Sequence, residues 1–325
     1  MGRIFITRAT PGKAGEILES AGHSVEVWRE TTPPASDILA EKLSQADAAL
    51  TMVVDRISAE MLANAKSLRI VANMAVGYDN INPAEAAALG VWVTNTPGVL
   101  AETTADMAFA LLMAGARNIV ASDRDTRAGG WTTWSPTAFL GQDVFGATLG
   151  IVGLGEIGAA MARRARGFEM RILYASRTRK PEVEAELGCE FVPLERLLRE
   201  SDFVSLHMPL TSETRHMMGE REFGLMKPSA VLVNTARGGV VDQDALVAAL
   251  EAGKIGGAAL DVTDPEPLPL DNLLYSFPNV IITPHIASAS LATRSKMADM
   301  AARNIAAVLA GQPPLNPVNQ PTKTR

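Results

Sequence analysis

Short apolar runs alternate with amphipathic stretches from residue 3 to residue 94. The runs at 3–7, 24–28, 48–53, 69–74 and 91–94 are rich in Val, Ile, Leu and Ala and are predicted strands. The stretches 12–21, 36–45, 58–65 and 83–89 between them carry helical spacing. Strands buried on both faces read as continuous apolar runs, which predicts a parallel sheet with helices over both faces. A small-residue-rich helix is predicted over 103–121, followed by a loop-rich crossover at 123–145 containing Gly129, Gly130, Trp131 and Trp134. A second alternating array starts at Ala147, with strands predicted at 148–152, 171–175, 203–206, 230–234, 257–260 and 280–283, and a last helix over 291–311. Two successive arrays predict two α/β domains, and 325 residues suffice for each to have its own core.

Composition narrows the function classes. The chain is 47% hydrophobic and 20% charged, ordinary for a soluble globular protein. A net charge of −6 leaves no nucleic-acid footprint, so an anionic ligand must be held by a few placed cations and amides. The N-terminal MGRIFITRATPG lacks the apolar core of a signal peptide, and the apolar stretch 107–116 is about half a bilayer span. No membrane partner is expected, and the expected location is cytoplasmic. The single cysteine, Cys189, excludes a disulfide framework and is expected as a small residue near the start of a strand. His23, His207, His216 and His285 include no i, i+4 pair, so no metal is expected.

The strongest local signal is Gly153-Leu154-Gly155-Glu156-Ile157-Gly158, between a predicted strand and a predicted helix. Gly153 suits the tight turn, Gly155 the close approach of backbone to a pyrophosphate, and Gly158 tight helix–strand packing. The helix N-terminus adds free N–H groups and a positive dipole end. An NAD site places an acid about 20 residues on, to bind the ribose 2′-OH. No Asp or Glu occurs from Met170 through Lys180; Ser176, Arg177 and Thr178 stand there instead, with Arg179 and Lys180. Hydroxyls and a guanidinium suit a 2′-phosphate, so NADPH is the expected cofactor, with NADH as the weaker alternative.

Three charged groups follow predicted strands downstream: Arg237 in NTARGG, Glu266 in DPEP after LDV, and His285 in TPHIASAS. The carboxyl edge of an open α/β sheet is where ligands bind. Singly, each has a bland reading as a solvated or structural residue. Together they supply what ketone reduction needs: a cation for a carboxylate and carbonyl (Arg237), a proton donor (His285), and an acid to hold the imidazole (Glu266).

The ordered set GLGEIG, NTARGG, LDV with DPEP, and TPHIASAS resembles the D-isomer-specific 2-hydroxyacid dehydrogenase family over nearly the whole chain. The resemblance implies that Arg237, Glu266 and His285 are catalytic. It implies two doubly wound parallel-sheet domains: a discontinuous, flavodoxin-like substrate domain (1–99 plus 288–325) and a Rossmann dinucleotide-binding domain (100–287) that carries the dimerisation helix and loop. Thr104, His207, Pro209, Thr214, Thr235, Ala236, Asp261 and Ser288 fall on positions that line the cofactor, as do Arg237 and His285. Val76 and Gly77, in VGYDN, match the loop whose amides hold the substrate carboxylate. The segment 130–136 and the Ser176-Arg177-Thr178 run are most similar to the glyoxylate/hydroxypyruvate reductase branch. There a tryptophan at the Trp134 position lies beside the substrate pocket across a homodimer interface. The expected substrate is a small 2-oxo acid.

Two rivals remain open. A phosphoglycerate dehydrogenase would carry the NAD-type acid, and a phosphate-binding Arg where Met52 stands, so Met52 is expected to face substrate. A dinucleotide-sensing corepressor shares the fold, but this chain keeps an uninterrupted active-site set.

Overall fold

The computed structural model describes residues 1–323 and 325, and the chain divides into two compact units, Met1–Leu100 with Ala289–Arg325, and Ala101–Ser288. In the first unit β1 (Arg3–Ile6), β2 (Ser24–Val27), β3 (Ala48–Thr51), β4 (Ile70–Asn73) and β5 (Trp92–Thr94) form one parallel sheet in the order β2-β1-β3-β4-β5. The inner strands β3 and β4 are buried at every position, whereas the edge strand β2 is not. That is the burial expected of a sheet covered on both faces. The helix Leu291–Leu309 belongs to this unit because Met297, Ala301, Ile305 and Val308 bury one stripe of it, packed across β3 and β4. Ser290 starts it by accepting a hydrogen bond from the Thr293 N–H at 3.1 Å.

The second unit holds β6 (Thr148–Val152), β7 (Arg171–Ala175), β8 (Cys189–Phe191), β9 (Phe203–Leu206), β10 (Val231–Asn234), β11 (Gly257–Leu260) and β12 (Val280–Ile282). They pair in parallel in the order β12-β11-β10-β9-β6-β7-β8. Alternate residues feed two cores. Val152, Leu206, Leu232 and Leu260 pack on one face, and Ile151, Phe203, Val233 and Ala259 on the other. Each large side chain buried there contributes about 1.5–3 kcal/mol. The strand order reverses between β6 and β9, and the crevice at such a switch point is the usual ligand position of the fold.

Three local expectations change. The helix expected over 103–121 is two helices, Ala101–Ala116 and Ile119–Arg127. Asn118 between them has φ 51°, a left-handed conformation that Asn tolerates, and its side chain donates to the Leu140 carbonyl at 3.0 Å. The crossover loop therefore starts only after Arg127. Strand β8 opens on Cys189, expected near the start of a strand, but the apolar pattern gives it no bounds because three residues are too few to show a period. Strand β3 ends at Thr51, which leaves Met52 in the following loop. No helix among the described residues is long and apolar enough to cross a membrane.

Candidate active site

The glycine turn follows β6, beside the switch point. Gly153 has φ 97°, and a Cβ there would stand 2.9 Å from the backbone of His207 and Met208, so this turn requires glycine. A Cβ at Gly158 would strike the Gly153 carbonyl, which fixes how closely the helix Glu156–Arg166 starts against the turn. Gly155 differs: a Cβ there would meet nothing within 4 Å, so its face is open to a ligand. Leu154 is buried, while Glu156 and Ile157 begin the helix. Arg164 ties this helix to Ala101–Ala116 through Asp106 at 2.6 Å and Glu102 at 2.9 Å, which brings the buried Thr104 onto a neighbouring helix.

The carboxyl end of β7 lies next to the glycine turn, joined by the Gly153 N–H to the Ala175 carbonyl at 2.8 Å. Ser176 donates to the Thr178 carbonyl at 2.6 Å, closing the loop that carries Arg177. Arg179 is paired in two places with Glu184, at 2.9 and 2.8 Å, and the Tyr174 hydroxyl donates to the same carboxylate at 2.5 Å. The Arg179 hydrogen bond, with that of Tyr174, holds the Glu184 carboxyl down at about 2. Arg179 thus braces the loop, and Arg177 is the exposed guanidinium at its tip. On the other side of β6, Thr214 donates to the Pro209 carbonyl at 2.6 Å and shapes the loop after β9. His207 in that loop bonds Ser205 at 2.8 Å through Nε2, and burial pushes its imidazole down to about 4. A ring that stays neutral at pH 7 is a poor proton donor.

Arg237, Glu266 and His285 follow β10, β11 and β12, three adjacent parallel strands, so sheet order alone brings them to one edge. Asn234, buried at the end of β10, holds the Arg237 loop by accepting from the Ala236 N–H at 3.0 Å and donating to the Arg237 carbonyl at 2.8 Å. Gly238 sits against the Thr263 backbone so closely that a Cβ would overlap it. The Glu266 loop starts there: Glu266 Oε1 accepts from the Thr263 N–H at 3.2 Å, and Oε2 lies 2.8 Å from His285 Nδ1. A carboxylate only accepts, so Nδ1 carries a proton.

His285 has φ 53°, a left-handed conformation that costs a non-glycine residue about 1–3 kcal/mol. Asp261, 1% exposed, over-determines it. Its Oδ1 accepts from the Thr283 hydroxyl at 2.6 Å and the Ile286 N–H at 2.8 Å, and its Oδ2 from the Ala287 N–H at 2.8 Å. The His285 N–H donates to the Asp261 carbonyl at 2.9 Å. Asp261, expected beside the cofactor, is therefore also the anchor of the histidine turn. Sequence reasoning assigned no role to Asn234 or Thr283; the signal was their place at the last position of one strand and just after another. Ser288, half-buried, ends the turn.

Among the other expected residues, Met52 is half-buried in the loop after β3, and Val76 and Gly77 lie in the loop after β4, both at the carboxyl edge of the first sheet. Trp131 and Trp134 are 73% and 80% exposed, so neither is a core residue of its own chain. The Thr235 hydroxyl and His207 Nδ1 are buried without a hydrogen-bond partner among the described residues. Those two atoms and the open face of Gly155 fit a nicotinamide dinucleotide.

The family model for the D-isomer specific 2-hydroxyacid dehydrogenase, NAD binding domain, matches residues 109–287. A glyoxylate reductase of Korarchaeum cryptofilum is 53% identical over 319 residues, covering 98% of this chain and 96% of that protein. A crystal structure of a Thermus thermophilus protein superposes with a TM-score of 0.92 at 47% identity, covering 97% of this chain and 99% of the other. An NADPH-dependent glyoxylate/hydroxypyruvate reductase from Sinorhizobium meliloti, solved with NADP and malonate, has a TM-score of 0.87 at 33% identity and covers 99% and 98% of the two chains.

Proposed function

The chain belongs to the D-isomer-specific 2-hydroxyacid dehydrogenase family and is an NAD(P)-dependent enzyme, and from that premise we propose that it reduces glyoxylate and hydroxypyruvate with NADPH to glycolate and D-glycerate. The observation that carries the chemistry is the 2.8 Å pair of His285 and Glu266 on the strand edge that also holds Arg237. A bound reduced nicotinamide supplies a hydride. His285 Nε2 then gives a proton to the carbonyl oxygen, and Glu266 stabilises the imidazolium from which it leaves. The Arg237 guanidinium holds the oxo acid and stabilises charge developing on oxygen. Val76 and Gly77 offer backbone N–H groups to the substrate carboxylate.

The cofactor is held by the glycine turn, Thr104, Thr235, Ala236 and the loop after β9, with Ser176, Arg177 and Thr178 on the 2′-phosphate. The relatives named glyoxylate reductase support the substrate, and Met52 supports a substrate without a phosphate, since a thioether offers an anion nothing. The test is a panel of glyoxylate, hydroxypyruvate, longer 2-oxo acids and phosphohydroxypyruvate, each with NADPH and NADH. Glyoxylate with NADPH is expected to give the highest kcat/KM and the phosphorylated acid the lowest. Preference for NADH, or no turnover of glyoxylate, rejects the reading.

Arg177→Ala isolates the cofactor assignment. It removes a contact made equally in ground and transition states, so KM for NADPH rises by roughly tenfold or more while KM for NADH stays near the wild-type value. Equal effects on both cofactors would place Arg177 away from the 2′-phosphate.

A homodimer is also part of this reading. Ile119, Trp131, Trp134, Leu140 and Phe145 are exposed within one stretch, more apolar surface than a monomer usually leaves in contact with water. A second copy covering it would bring Trp134 to the partner's substrate pocket. Light scattering at micromolar concentration is expected to give twice the chain mass, and Trp134→Ala to raise KM for the oxo acid. A fully active monomer would refute this assembly.

A further inference from the structure

The loops at the carboxyl edge of the five-stranded sheet are held by buried polar side chains, and one of them is a carboxylate. Asp55, in the turn after β3, is 2% exposed. Its Oδ2 accepts from the Thr7 hydroxyl at 2.5 Å, just past β1, and from the Met52 N–H at 2.7 Å. The Asp55 N–H donates in return to the Met52 carbonyl at 3.0 Å, so the turn is closed twice. Asn80 Nδ2 donates to the carbonyls of Met52 at 3.1 Å and Asp55 at 2.9 Å. Asn73, at the end of β4, donates to the Gly77 carbonyl at 3.0 Å and to Asn80 Oδ1 at 3.3 Å. The connected bonds run from Thr7 through Asp55, Met52, Asn80 and Asn73 to Gly77, across the ends of the adjacent strands β1, β3 and β4.

Such a carboxylate is costly where it stands. Asp55 Oδ1 is buried and finds no hydrogen-bond partner among the described residues. Burial pushes the carboxyl up from its ordinary range, against the Thr7 and Met52 hydrogen bonds and the charge of Arg8. A buried acid that braces one turn, with that turn braced in turn to the next loop, restricts both loops more than either would be alone. Both loops carry residues assigned above to the substrate: Met52 in one, Val76 and Gly77 in the other.

We propose that Asp55 is a positioning residue for the 2-oxo acid: through Met52 directly, and through Asn80 and Asn73, it sets where the Met52 side chain and the Val76 and Gly77 amides stand. This rests on the assignment of those residues to the substrate. The side-chain hydrogen bonds of Asp55 go to Thr7 and to Met52, the latter on a loop assigned to the substrate, so its contribution falls on substrate affinity. Uniform binding of that kind appears in KM with little change in kcat.

The experiment compares wild type, Asp55→Ala, Asp55→Asn and Thr7→Val. It uses steady-state kinetics in the oxo acid at saturating NADPH, fluorescence titration of NADPH, and thermal unfolding. Asp55→Ala is expected to raise KM for glyoxylate by about tenfold or more, the worth of hydrogen bonds to a charged group. Its kcat should change by less than about threefold, and NADPH affinity should be unchanged. Asp55→Asn keeps an acceptor for Thr7 and Met52, and should recover most of the KM. Thr7→Val, which deletes one bond and keeps the shape, should raise KM several-fold. A folded Asp55→Ala chain with the wild-type KM overturns the proposal. If that variant does not fold, an unchanged KM in Thr7→Val overturns it equally. A drop in thermal stability with no KM change makes Asp55 a structural residue only and also overturns it. A wild-type chain that ignores glyoxylate overturns the substrate reading instead, and the KM comparison is then made on the 2-oxo acid of the panel that it does reduce.

Discussion

Replacing His285 with Ala is expected to lower kcat for oxo-acid reduction by on the order of 10²–10⁴, the usual worth of a general acid, while NADPH still binds. The structural grounds are the Nδ1 contact to Glu266 at 2.8 Å, which orients the ring, and the left-handed backbone that Asp261 enforces at this position. Backbone held in that region against its own preference is a mark of a site where side-chain direction matters. Ala tolerates a left-handed φ less well than His, but the Asp261 bonds that hold the turn go to Thr283 and the backbone of Ile286 and Ala287, so the exchange deletes the imidazole and leaves them in place. The glycine turn follows β6, which is separated from β12 by three strands in the sheet order, so the phosphate end of the cofactor site is untouched. NADPH titration should therefore give an affinity within a few-fold of wild type. A variant that keeps more than about a tenth of wild-type kcat would mean that another group supplies the proton, and the mechanism above would be wrong.

Arg237→Ala has the second largest expected effect, a loss of about 10²–10³ in kcat together with a higher KM. Both constants move because one guanidinium holds the acid before reaction and the charged oxygen during it. The loop should keep its shape without the side chain. Asn234 pins the Ala236 N–H and the Arg237 carbonyl, and Gly238 is seated against Thr263. Arg237→Lys restores the charge but not the planar fork, so it should recover only part of the rate. If Arg237→Ala raises KM alone, Arg237 binds substrate but does not stabilise the transition state.

Much of this site could be read from the sequence because its signals are local. A strand that is buried on both faces is an apolar run wherever it lies in the fold, and parallel strands all point their carboxyl ends to one edge. Arg237, Glu266 and His285 each follow such a run, so their meeting at one edge required only that the strands be neighbours. The glycine turn is equally local: Gly153 needs φ 97° and Gly158 has no room for a Cβ, constraints set within a few residues. The basic loop at Ser176, Arg177 and Thr178 was visible because the acid of an NAD site has a fixed distance from the glycines.

What the tertiary structure alone decided are the contacts between segments distant along the chain. Asp261 holds Ile286 and Ala287, 25 and 26 residues away, and Asp55 reaches Thr7 across 48 residues and is reached by Asn80 across 25. Arg179 was expected among the cations of the phosphate loop, and only the fold shows it committed to Glu184, on the helix that follows. The break at Asn118 was hidden because helical apolar spacing continues through it, while the left-handed residue is stabilised by a carbonyl at Leu140. Periodicity records which face of an element is buried; a hydrogen bond between polar side chains depends on where two elements end relative to each other, and no spacing along the chain encodes that distance.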